Sequence, residues 1–174
     1  MRQSAHSSAG WKASAAGWLK ANWDAAVDDP RGRSGMGVVI RDSIGTMKAA
    51  RCITKLVCLN SMVAEAWALL EAFRLCRELG FRQVTFEGDA KGIIDAVLSD
   101  EVDRGSMGHM IANLKQKLGG FVNSLISHVK RENNCVAHIL ARGAAKLGLN
   151  NTWLIMPPAC IADTLLLEQL ALAG

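Results

Sequence analysis

Glu65 is the residue in this chain that packing accounts for least well. The stretch SMVAEAWALLEAFRLCRELG reads as a helix from Ser61 to Gly80. Met62, Leu69, Ala72, Phe73 and Cys76 lie three, four, seven, eight and eleven positions from Glu65, so the carboxyl shares their apolar face. Glu71, Arg74, Arg77 and Glu78 point elsewhere and suit a solvated face with i,i+3 and i,i+4 pairs. A carboxylate on the buried side must take up a proton or meet a cation. Two further acids flank strand-like runs: Asp24 at the end of the first strand, and Asp89 directly after VTFEG. They are too far from Glu65 along the chain for a local motif, so only the fold could gather the three. Gathered carboxylates repel one another, and a divalent cation reverses that penalty. Mg²⁺, or Mn²⁺ in its place, suits carboxylate and water oxygens and keeps positions open for a substrate phosphate. Two such ions about 3.5–4 Å apart can activate water and stabilise a leaving oxygen in phosphodiester hydrolysis. Plainer roles stay open for each acid. Asp24 could be a strand-end turn residue, Asp89 a helix N-cap, and Glu65 a first-turn acid favoured by the helix dipole.

The elements that would position these acids follow from periodicity. WLKANWDAAV alternates, with Leu19, Ala21 and Trp23 on one side and Lys20, Asn22 and Asp24 on the other, as in a half-buried strand. GMGVVIRD and TMKAARCIT are strand-like runs joined by Asp42-Ser43-Ile44-Gly45, a hairpin signal. After the Glu65 helix come a short strand (QVTFEG), a helix (DAKGIIDAVLSD), a second helix (MGHMIANLKQKLGG), a strand (FVNSLISHV) and a last helix (NNCVAHILARGAAKLG). Three consecutive strands followed by helix-linked strands predict an α/β domain. Its mixed five-stranded sheet has three antiparallel strands, then two parallel ones, with helices on both faces. The domain is expected over residues 16–148, after a flexible lead-in at 1–15. A Pro-Pro break and helical tail are expected over 149–174, with the apolar segment Leu165 to Leu172 either packing on its own core or docking a partner.

Bulk properties narrow the function classes. A chain of 174 residues, 50% hydrophobic and 21% charged, suits one domain with a sizeable core. No apolar run reaches the roughly 18 residues of a membrane span, so no membrane partner is expected. The five cysteines are odd in number and lack C-x-x-C spacing. Reduced thiols in an intracellular protein of the nucleus or cytoplasm follow from that. The acid-free, Ser- and Ala-rich start leaves an organelle-transit reading open. A net charge of +4 permits a polyanionic partner without requiring one. No heptad array or repeat is present, and a monomer is expected.

Taken together, WLKANWDAAV, GMGVVIRDSIG, AEAWAL, VTFEGDAKGII and HVKRENNCVAHILAR resemble, in order, the type 1 ribonuclease H superfamily, and within it the plant reverse-transcriptase-like group. That resemblance implies a metal-dependent endonuclease cutting the RNA strand of RNA–DNA hybrids, with four acids holding two ions. The first three acids fall on Asp24, Glu65 and Asp89. The fourth falls on His138, in an N-x-x-A-H-x-L-A version of N-x-x-A-D-x-L-A (Asn134, Ala137, Leu140, Ala141). A neutral imidazole there could ligate a metal, handle a proton, or leave one metal site weakened.

A hybrid is recognised through its backbone and 2′-hydroxyls. The resemblance puts the start of the Glu65 helix near the minor groove, where Asn60 and Ser61 could contact ribose or phosphate. Helix capping is the alternative, with Ser61 as N-cap. Arg31, Arg33, Lys91, Lys130 and Arg131 are candidate phosphate contacts.

Overall fold

In the computed structural model, which describes residues 10–174, β1 (Leu19–Asp28), β2 (Arg33–Arg41) and β3 (Met47–Lys55) form the expected antiparallel meander. Between β2 and β3 the Asp42 side chain accepts from the Ile44 and Thr46 N–H groups, and Gly45 supplies a φ of +82°. α1 (Ser61–Glu78) is followed by β4 (Gln83–Gly88), α2 (Lys91–Leu98), α3 (Gly108–Gly119), β5 (Asn123–His128) and α4 (Cys135–Leu147). β4 pairs parallel to both β1 and β5.

A sixth strand corrects the expected count. β6 (Asn151–Trp153) pairs antiparallel with β3, giving the order β5-β4-β1-β2-β3-β6. Three residues are too short for alternation to register, and they lie in the stretch read as tail. Beyond them α5 (Ala159–Ala173) docks through Ile161 and Leu165, while Leu166, Leu167 and Leu170 stay exposed. Among the described residues no helix is long and apolar enough to cross a membrane.

The sheet is covered on both faces, so β1 is not half-buried as its alternation suggests. Ala21 and Trp23 join the larger core with Leu69, Phe73, Phe86 and Leu114, under α1 and α3. The other face packs Val39 and Ala50 against Val136 and Leu140 of α4. Lys20, Asn22 and Asp24 are therefore buried as well, at 5%, 0% and 0% exposure. Glu71 also departs from the solvated face assigned to it. It is 3% exposed and accepts a 2.6 Å bond from Arg74.

Residues 1–9 of the expected lead-in lie outside the described residues. Within the remainder, Trp11 is buried and its indole N–H donates to Asn22 at 2.8 Å.

A candidate carboxylate metal site

Parallel pairing of β1 with β4 ends at Asn22↔Glu87, and past that pair the strands part. The opening lies at the carboxyl end of β4, where its parallel pairing with β1 stops, and the carboxyl ends of parallel strands are where α/β sheets commonly bind ligands. Asp24 lies two residues beyond the last pair. It sits within β1, not at its end, because β1 continues to Asp28. Asp89 follows the last residue of β4, and α1 brings Glu65 over the gap.

Three local features fix this arrangement. Gly37, opposite Asp24 on β2, lets α4 approach closely: a Cβ there would stand 2.5 Å from the Ala137 carbonyl oxygen and the Ala141 nitrogen. Gly88 leaves room for the Trp23 indole, which a Cβ would approach to 2.5 Å. The Asn134 amide donates to the Trp23 carbonyl at 3.0 Å, tying the start of α4 to β1 beside Asp24.

One oxygen each from Asp24, Glu65 and Asp89 falls within 4.8 Å of the others. His138 Nδ1 lies 2.7 Å from Asp24 Oδ2, and Arg131 Nε donates to Asp89 Oδ2 at 2.9 Å. Asp24 Oδ1 and Glu65 Oε2 are buried with no hydrogen-bond partner. Burial, and then the Asp24 charge, push the Glu65 carboxyl up to about 10. Burial and the Asp89 charge raise Asp24 too, opposed by its bond to His138. Hydrogen bonding to Asp89 raises Arg131.

The plainer roles do not fit this geometry. α2 has no side-chain N-cap, and Asp89 is bonded to Arg131 instead. α1 has no acid in its first turn, and its cap is Asn60, not Ser61: the Asn60 side chain accepts from the Val63 N–H at 2.9 Å. Hard carboxylate oxygens, two of them orphaned in a buried place, match the donor chemistry of Mg²⁺ or Mn²⁺.

The remaining predicted residues divide. Ser61 and Arg131 line a cavity of about 250 Å³ together with Glu65 and Asp89. Lys130 is exposed beside Arg131. Lys91 is bonded to Asp95, Arg31 to Asp28, and Arg33 to the Lys146 carbonyl, so none of these three reaches the acids. Sequence reasoning missed Arg142, which lines a groove with His138, Arg131 and Ala25 to Val27. Its i,i+4 spacing from His138 on one helix face was the available signal.

Three comparisons bear on this geometry. A family model described as reverse transcriptase-like matches residues 22–144. No curated protein matches the chain. Among solved structures, ribonuclease H1 from the halophilic archaeon Halobacterium salinarum is 25% identical, with a TM-score of 0.66, over 74% of this chain and 97% of that one. The N-terminal RNase H domain of a Mycobacterium tuberculosis protein is 17% identical, with a TM-score of 0.67, over 75% of this chain and 94% of that one. LC11 ribonuclease H1, solved in complex with an RNA/DNA hybrid, is 22% identical, with a TM-score of 0.65, over 76% of this chain and 99% of that one.

Proposed function

The chain belongs to the reverse transcriptase-like family and has the ribonuclease H-like fold, and on that premise we propose that it hydrolyses the RNA strand of RNA–DNA hybrids, with Mg²⁺ or Mn²⁺ held by Asp24, Glu65 and Asp89. The convergence of three carboxylates within 4.8 Å, with Asp24 Oδ1 and Glu65 Oε2 buried and unpartnered, carries this reading. A buried cluster with that surplus of negative charge is costly unless a cation completes it. The hybrid seen with LC11 ribonuclease H1 supports the choice of substrate.

A divalent ion bound there supplies Lewis acidity toward a phosphate and lowers the pKa of a coordinated water. The chain's own groups bind and orient. Arg131, tethered to Asp89, and Arg142 across the groove offer guanidinium N–H groups to backbone phosphates. Ser61, on the cavity wall, has a hydroxyl suited to a ribose 2′-OH. His138 holds Asp24 in a fixed orientation through Nδ1.

The test incubates the purified chain with labelled RNA–DNA hybrid, RNA duplex and DNA duplex, in Mg²⁺ or Mn²⁺, beside Asp24→Asn. Cleavage confined to the hybrid is expected. Because even residues that only support metal ligands cost about 10–100-fold, loss of this ligand should exceed about 100-fold. Hybrid binding without cleavage would favour a nucleic-acid-binding module instead, the reading to which histidine at the fourth acid position lends weight. Neither binding nor cleavage would end both readings.

A further inference from the structure

The acids of the site do not keep all their oxygens free. Asp24 Oδ2 is engaged by His138 Nδ1 at 2.7 Å, and Asp89 Oδ2 by Arg131 Nε at 2.9 Å. Asp24 itself is 0% exposed, and its other oxygen, Oδ1, is buried with no hydrogen-bond partner. Carboxylates that bridge two cations commonly use both oxygens, and here one oxygen of each of these two acids is already engaged by a neighbouring side chain, with which an ion would have to compete. We infer that the site holds a single divalent cation, because a second would have to compete with His138 for Asp24 Oδ2 and with Arg131 for Asp89 Oδ2. The inference rests on the metal-dependent reading above and specifies its stoichiometry.

Charge leads to the same result. Once an ion displaces the Glu65 proton, three carboxylates and one guanidinium carry a net charge of about −2, which one divalent ion cancels. A second ion would leave an equal positive excess in a partly buried place, next to the Arg142 guanidinium that shares the groove with His138 and Arg131. Donor chemistry agrees as well. His138 presents Nδ1 to a carboxylate rather than to the gap between acids, and imidazole is a poor ligand for Mg²⁺. In this arrangement His138 is a positioning residue. It fixes which Asp24 oxygen faces the ion, and its imidazole stands where a fourth acid would bring a second set of hard donors.

Mn²⁺ alone, titrated into the substrate-free chain and followed by electron paramagnetic resonance of the free ion and by calorimetry, reads the stoichiometry directly. Wild type should bind a single ion tightly. His138→Asp, which removes the donor from Asp24 Oδ2 and adds a carboxylate, should bind two. If His138→Asp does not fold, as judged by circular dichroism, His138→Ala/Arg131→Ala removes both hydrogen-bond donors and the guanidinium charge without adding a carboxylate, and should also take up a second ion. Two ions of comparable affinity in wild type would overturn the inference. So would a stoichiometry that stays at one in a folded His138→Asp and in the double variant. No Mn²⁺ binding by wild type would overturn the metal-dependent reading itself, and with it this inference, an outcome distinct from a count of two.

Discussion

β1 carries two buried polar clusters two residues apart on one face, around Asn22 and around Asp24, both side chains fully buried. At Asn22 the charges are matched by the chain itself. Its Oδ1 accepts from the Trp11 indole at 2.8 Å and from Arg41 at 3.1 Å. Arg41 pairs with Glu168 of α5 and lies 3.9 Å from the Trp11 ring centroid, and Lys20 pairs with Glu87 at 2.8 Å. Two cations face two anions, and the cluster ties the start of the described chain and the last helix to the sheet. At Asp24 three acids face one guanidinium and an imidazole. Burial alone does not separate a structural polar cluster from a candidate site. The separating feature is whether the chain's own charges close the cluster or leave it short.

The largest expected difference between them is in stability. Arg41→Met leaves Glu168 half of a broken, nearly buried pair and should lower the unfolding free energy by about 3–5 kcal/mol. Arg41→Met/Glu168→Leu should recover most of that loss, because a well-packed apolar pair can replace a buried ion pair. Asp24→Asn should do the reverse of Arg41→Met in the metal-free chain and raise Tm, since it removes a charge that burial and the neighbouring Asp89 both disfavour. Urea denaturation of the four proteins checks this. If Asp24→Asn were as destabilising as Arg41→Met, the two clusters would be alike and the site merely structural.

The sequence made one side of this contrast legible and hid the other. Glu65 stood out because a carboxyl on an apolar helix face has no local explanation, and Asp24 and Asp89 followed from their places beside strands. The meander and the parallel pair were readable from alternation and from crossover helices. Arg41 was not readable as a buried residue. It ends a strand beside a turn, where cations are ordinarily solvated, and its partner Glu168 lies in a tail helix without a clear apolar face. Trp11 is a lone aromatic in a polar stretch, and a three-residue strand such as β6 gives alternation too little to work with. The His138 bond to Asp24 spans 114 residues of sequence. The motif could place that imidazole at the fourth position but could not say which atom it would grip.

A middle-sized effect should come from the glycine that sets the distance between α4 and the sheet. In Gly37→Ala the new Cβ would meet the Ala137 and Ala141 backbone at 2.5 Å, so the helix itself must shift, whereas a flexible side chain could turn aside. Overpacking of this kind costs about 1–3 kcal/mol. The same shift draws His138 away from Asp24, so the imidazole N–H resonance in the nuclear magnetic resonance spectrum should move or broaden. The Asn22 cluster hangs on β2, the chain start and α5, and the Trp11 indole N–H resonance should change less. Equal perturbation of both resonances would mean that α4 positions the two clusters jointly.

The smallest effect concerns pH, and its sign distinguishes the clusters. Glu65 has a folded-state pKa pushed up to about 10 from an ordinary 4.5, first by burial and then by the Asp24 charge. The folded chain therefore holds that proton more tightly than the unfolded chain. The stability this contributes is fully present below the unfolded value and is lost as pH rises through the folded one. In a chelator, wild type should lose Tm relative to Glu65→Gln between about pH 5 and about pH 9. Relaxation around the partly buried carboxyl keeps the expected difference to about 1 kcal/mol, or about 2–4 °C for a chain of this size. Saturating Mg²⁺ should reverse the order, because an ion that binds only the folded form stabilises wild type and has lost a ligand in Glu65→Gln. Parallel Tm curves in chelator and in Mg²⁺ alike would mean that Glu65 is solvated as an ordinary carboxylate. The cluster around Asp24 would then have no unmet negative charge for a cation to answer.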